Sequence, residues 1–215
     1  MRHAQLSSIE LPDFGEPAIE PLLDRETYAR RHIQLVARMA ANALDALVIY
    51  GDREHSANIS WATGFDPRFE EAIYIVVPGS APTLLAGNEC LPYSETADGS
   101  FKRVLWQPLS LMGQPRDKYR GLAEIFREAG LAQGMRIGLA GWKGFESEAG
   151  EFDPAWFETP HYLVEALAQF GPVSNAALAF MHPVNGLRVI NVVVERARRR
   201  KRVIAAGADC NHLVF

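Results

Sequence analysis

Cysteine is scarce in this chain: 215 residues hold only Cys90 and Cys210. Two distant thiols exclude a disulfide framework and a cysteine zinc site, and they lead us to expect a reduced, cytoplasmic protein. Long apolar runs are missing too. No stretch approaches the ~20 residues of a membrane span, so no membrane partner is expected. Met1–Pro17 has no apolar h-region, so no signal peptide is expected. The six histidines, at 3, 32, 55, 161, 182 and 212, show neither H-x₃-H nor H-E-x-x-H spacing, which argues against a zinc site. Ser56, Ser60 and Ser94 lack a G-x-S-x-G context, which leaves a serine hydrolase unsupported. Internal repeats and low-complexity segments are absent. Basic charge is in short supply outside one run. The net charge is −4, yet six basic residues lie within Arg196–Arg202, so the rest of the chain is more acidic than that total. No nucleic-acid partner is expected, because no aromatic or docking motif accompanies the basic run.

The chain is organised around Leu44–Val77. Ala46–Tyr50 and Ala72–Val77 are short, rich in Val, Ile and Tyr, and bounded by Gly or Pro. That pattern reads as two strands, apolar on both faces and covered by helices on both sides. Between them lie a polar turn, a short helix and a loop broken at Gly64. The polar residues gather at the carboxyl end of the first strand, where open α/β sheets usually place ligands.

Upstream, Asp24 is a helix N-cap. Tyr28, His32, Leu35, Val36, Met39 and Ala43 then form an amphipathic stripe. Arg30, Arg31 and Arg38 lie mostly off it, and Asn42 is placed to end the helix in a left-handed conformation. Downstream, Pro78–Pro82 is a turn, and Thr83–Ala86 a strand antiparallel to the second. Gly87–Ala97 reads as a short helix and Lys102–Trp106 as a strand. Asp117–Ala129 is a helix with Gly130 at its end, and Arg136–Ala140 a strand. Gly141–Pro154 is a Gly-rich loop, Tyr162–Phe170 a helix and Pro172–Asn175 the last strand. This spacing predicts an α/β three-layer sandwich with a mixed, about six-stranded sheet flanked by helices. The expected divisions are an arm over 1–23, a domain over 24–186 and a linker or tail over 187–215.

Asp45–Tyr50, Asn58–Ile59 and Thr63–Phe65, in this order and spacing, resemble the N-terminal domain of the creatinase/prolidase/aminopeptidase P family. The helix with Arg30, Arg31 and Met39 is similar to that family's opening helix. Gly51–His55 with Phe65–Glu71 resembles a bacterial Xaa-Pro-peptidase-like subgroup. The resemblance runs from about Tyr28 to Leu187 and fades after Pro108. It implies a following pita-bread domain, in which two Asp, one His and two Glu hold two divalent metals such as manganese. No such constellation follows Leu187; Asp209 and His212 alone do not make a dinuclear site. No cofactor is therefore expected in this chain. Arg188–Asn191 resembles the entrance to the family's linker helix, but Val192–Phe215 departs from it. The tail is either an exposed basic helix or accidental sequence from an altered reading frame, and in the latter case it contributes little to the fold.

The resemblance also implies that Asp52, Arg53 and His55, with Glu54, face a partner subunit's active site, and that a peptide substrate is met there in a homodimer. The plainer reading weighs more for each residue alone: Asp52 caps a helix, Glu54 favours its dipole and His55 packs. Asp66 and Arg68, with Glu70 and Glu71, read as a substrate-recognition loop or, more simply, as a solvated and salt-bridged one. Trp61, Phe65 and Phe69 are candidate interface aromatics; for Trp61 and Phe65, core or dimer contact outweighs substrate stacking. Gly138–Gly144 matches neither a dinucleotide fingerprint nor a P-loop and reads as a turn. Three functions follow. The first is a non-catalytic domain that dimerises and shapes substrate access. The second is a stand-alone hydrolase using the Asp52–His55 turn as acid and base. The third is a scaffold that pairs with a full-length relative.

Overall fold

The computed structural model describes residues 23–189. The arm before Leu23, the tail after Asn191, the Arg196–Arg202 run, Cys210 and His212 lie outside the described residues. The first helix, α1, spans Arg25–Ala41, and the Asp24 side chain accepts the Thr27 N–H at 2.7 Å. That is the cap the sequence predicts. The left-handed residue is Ala43 (φ 54°) rather than Asn42, whose φ is −97°. Three N–H groups donate back into the last turn, from Asn42, Ala43 and Leu44, so the helix closes before the chain reverses.

Six strands form one sheet in the order β4-β3-β2-β1-β5-β6: β1 Ala46–Gly51, β2 Ala72–Val76, β3 Thr83–Ala86, β4 Lys102–Leu105, β5 Ile137–Ala140 and β6 Val173–Asn175. β2 runs antiparallel to both neighbours; every other pairing is parallel. Every residue of β1 and β2 is buried, as two apolar faces require. Alternation divides β1 between two cores. Leu47 and Ile49 join α1, α2 (Ala57–Thr63) and α6 (Leu178–Met181) on one side. Ala46, Val48 and Tyr50 join α4 (Leu122–Glu128) and α5 (His161–Ala168) on the other. The three-layer mixed sandwich is thus the predicted one.

Two elements differ from the sequence reading. The Gly87–Ala97 helix is a single turn, α3 (Cys90–Tyr93), followed by a 3₁₀ turn. The Asp117–Ala129 helix begins only at Leu122, because side chains from the preceding turn hold 117–120 out of it. The Gln107 Oε1 accepts the Lys118 N–H at 2.6 Å, and the Trp106 indole N–H donates to the Arg120 carbonyl at 3.1 Å. α6 has no counterpart in the sequence pattern; the Leu187 and Arg188 N–H groups donate to its Ala179 and Phe180 carbonyls. Among the described residues, no helix is long and apolar enough to cross a membrane.

Candidate functional site at the carboxyl edge of the sheet

β1 delivers its last residue, Gly51, opposite Ala72, the first residue of antiparallel β2. Asp52 therefore lies beside Glu70 and Glu71. The segment after β4 completes a cavity of about 430 Å³, lined by Asp52, Arg53, Glu54, Phe69, Glu70, Glu71 and Leu109–Met112. This is the edge where parallel strands of α/β sheets present ligand-binding groups.

Asp52 does not cap α2, as the plainer reading held; that helix starts at Ala57 with Ser56 at its N-cap. The Asp52 carboxylate instead closes its own turn, accepting the N–H groups of Glu54 (2.9 Å) and His55 (2.7 Å). His55 Nδ1 lies 3.0 Å from the same oxygen. Burial pushes the Asp52 carboxyl up, but the bonds from His55 and the backbone outweigh it and hold it below its ordinary value. The imidazole stacks on Trp142, with centroids 4.2 Å apart and planes 15° apart. The ammonium of Lys143 lies 4.9 Å from the Trp142 ring.

That aromatic partner comes from the loop after β5, read from sequence as a plain turn. The Glu158 carboxylate accepts the N–H groups of Trp142 and Lys143. Asn175, at the end of β6, donates to the Trp156 carbonyl at 2.8 Å. Trp142, Glu158 and Asn175 were missed because they are distant in sequence and form no motif.

Glu71 is half-buried, with the Tyr162 hydroxyl donating to it at 3.4 Å. Burial raises its carboxyl above the ordinary glutamate value. Hydrogen bonds from Tyr50 and Tyr162 offset this in part, while the Asp52 charge adds to it. Burial and then the neighbouring Glu71 raise both phenols in turn.

Glu70 corrects the expectation of a solvated loop. It is buried at 2% exposure, and its carboxylate accepts the Cys90 N–H at 2.9 Å. Burial, with Glu70 nearby, pushes the Cys90 thiol up to about 12. Asp66 and Arg68 lie on a turn outside the Asp52 cavity. Asp66 accepts the Arg68 N–H at 3.0 Å, and Arg68 reaches the Tyr93 hydroxyl at 3.4 Å. Of the three interface aromatics, Trp61 (8% exposed) and Phe65 (1%) belong to the core of their own chain. Arg31, expected off the buried stripe, is itself buried, donating to the Trp61 carbonyl at 2.7 Å. Only Phe69, 45% exposed, faces outward.

The profile of the creatinase/prolidase N-terminal domain matches residues 31–190. The chain belongs to this family. Solved structures similar to this creatinase/prolidase N-terminal domain include the following. The prolidase from Pyrococcus horikoshii OT3 is 13% identical, with a TM-score of 0.42 over 68% of this chain and 32% of that one. The prolidase from Pyrococcus furiosus is 15% identical, with a TM-score of 0.45 over 75% and 36%. The creatinase/prolidase N-terminal domain of an X-Pro dipeptidase from Streptococcus pyogenes is 14% identical, with a TM-score of 0.45 over 69% and 94%. The chain thus spans about a third of the two Pyrococcus prolidases. No curated protein matches it. Among the described residues of this creatinase/prolidase N-terminal domain, no three His, Cys, Asp or Glu side chains converge to hold a metal. The described donors therefore do not fit a dinuclear metal centre.

Proposed function

We propose that this chain is the non-catalytic N-terminal domain of an Xaa-Pro peptidase- or creatinase-type metallohydrolase. In this reading it forms a homodimer in the cytoplasm, and its carboxyl edge shapes the entrance to a partner subunit's active site. Asp52, Arg53 and His55 are the residues of that edge, and the two divalent metals belong to the catalytic domain. The observation that carries the reading is the family match over 31–190, which is a match to the N-terminal module. The hydrogen-bonded and stacked Asp52–His55–Trp142 arrangement supports it as well, because a side chain that shapes a neighbour's cleft must be held in place.

The test is an assay of the pure chain with manganese, cobalt or zinc and an Xaa-Pro dipeptide, joined to sedimentation equilibrium. We expect no turnover above a protein-free control, and a dimer. Turnover that survives repurification would overturn the non-catalytic reading. A monomer at high micromolar concentration would remove the dimer.

A further inference from the structure

The carboxyl edge carries an apolar surface that the reading above does not use. Met112 is 98% exposed, Leu111 46% and Phe69 45%. All three line the cavity that holds Asp52, Glu54 and Glu71. Phe69 also lines a second cavity of about 460 Å³ with Arg68, Glu89, Cys90 and Tyr93. The two cavities adjoin at Phe69, and the groove is this pair. Large apolar side chains grouped so openly mark an interaction surface more often than chance exposure does.

The charges around the groove say what covers it. Among the described residues, Arg53 is the one cation lining the first cavity, and it pairs with Glu54 at 3.3 Å. Glu71 has phenol donors for partners, from Tyr50 and Tyr162, and Asp52 beside it as a like charge. A cation entering the cavity would meet Glu71 chiefly, since Asp52 beside it is already held by His55 and two backbone N–H groups. An isologous contact with a second copy sets the patch against itself, and the carboxylates that line it, Asp52, Glu54, Glu70, Glu71 and Glu89, outnumber its cations Arg53 and Arg68, so a partner richer in cations complements it better.

The geometry points to a docking groove for a protein segment that presents a lysine or arginine beside an apolar side chain, the cation meeting Glu71 and the apolar group packing on Phe69, Leu111 and Met112. It rests on reading this edge as an access surface and adds the chemistry of the partner. The mode is that of an aromatic and aliphatic anchor with a charged rim.

The experiment uses the full chain and a fluorescein-labelled peptide alternating lysine and leucine, followed by anisotropy. Two control peptides replace lysine by glutamate or leucine by serine. We expect saturable binding of the first peptide alone, weakened by salt. Glu71→Gln should weaken it by about tenfold, the loss of roughly one charge-assisted contact. The double variant Leu111→Ser, Met112→Ser should weaken it comparably, and both side chains are exposed enough to be replaced without loss of fold. Equal binding of the glutamate peptide, or binding unchanged in both variants, would overturn the proposal. Self-association that the double variant abolishes would assign the groove to a second copy and overturn it as well. Neither result touches the turnover assay, so the two readings fail separately.

Discussion

Arg136 grips Asp45 with its side chain and its backbone together. Its Nε and Nη2 reach the two carboxylate oxygens at 2.9 Å each, and its own N–H donates to one of them at 2.8 Å. The pair joins the start of β1 to the start of β5, which are parallel neighbours in the sheet. The side-chain bond from Arg136, then its backbone N–H, holds the Asp45 carboxyl far below its ordinary value of 3.8. A carboxyl depressed in the folded state contributes stability above its unfolded value, and that contribution is lost as pH falls toward the folded one. Asp45→Asn should therefore melt below the parent at neutral pH, and the gap should start to close below about pH 4. The pair is exposed, so the gap is modest and shrinks with salt. Melting curves at several pH values check this; a gap independent of pH would mean that the contact acts through shape alone.

Glu71 has the opposite sign. Its folded carboxyl is raised, so the unfolded chain ionises first as pH rises and stability is lost there. Glu71→Gln removes that penalty and retains a group able to accept the Tyr162 hydroxyl. The variant should be more stable than the parent at neutral pH and equal to it below the ordinary glutamate range. The same substitution is expected to weaken docking at the groove, a gain in stability against a loss of function. Chemical denaturation at two pH values is enough to decide, and a destabilised variant at neutral pH would show that the ionised form is the favoured one.

Sequence patterning made the central strands plain because β1 and β2 are apolar on both faces, which only a sheet covered on both sides accommodates. The Asp24 cap was legible for a local reason: its partner, Thr27, is three residues away. What stayed hidden is held by distant partners. Arg31 is buried because the Trp61 carbonyl, 30 residues on, accepts from it. The late start of α4 depends on Gln107 and Trp106, and the stacking surface under His55 depends on Glu158 holding the Trp142 backbone. The carboxyl edge could thus be located from strand order alone, but which groups it brings together could not.

Gly64 ends α2 at φ 79°, and a Cβ placed there would lie 2.8 Å from the Tyr28 hydroxyl and 2.9 Å from its ring carbon. Gly64→Ala therefore meets both left-handed strain and a collision with a buried side chain of α1. The strain alone, about 1–2 kcal/mol, should lower the melting temperature by about 2–8 °C. A Gly64→Ala, Tyr28→Phe pair should recover part of the loss, since the hydroxyl is the closest atom. Full stability in the single variant would show that the loop rearranges freely.

Phe65 and Phe69, four residues apart, should behave as different kinds of residue. Phe65 is 1% exposed and packs in the α1–α2 core, with the Tyr93 ring 6.0 Å away. Phe65→Ala opens a cavity there and should cost about 3–5 kcal/mol, or roughly 6–20 °C for a chain of this size. Phe69 is 45% exposed and lies on the groove. Phe69→Ala should change stability by no more than about 0.5 kcal/mol. It should weaken lysine–leucine peptide binding, since it removes the wall that the two cavities share. Thermal melts and anisotropy titrations on the two variants separate the roles. If Phe69→Ala unfolded the chain as readily as Phe65→Ala, the aromatic would belong to the core, and the groove would lose its central wall.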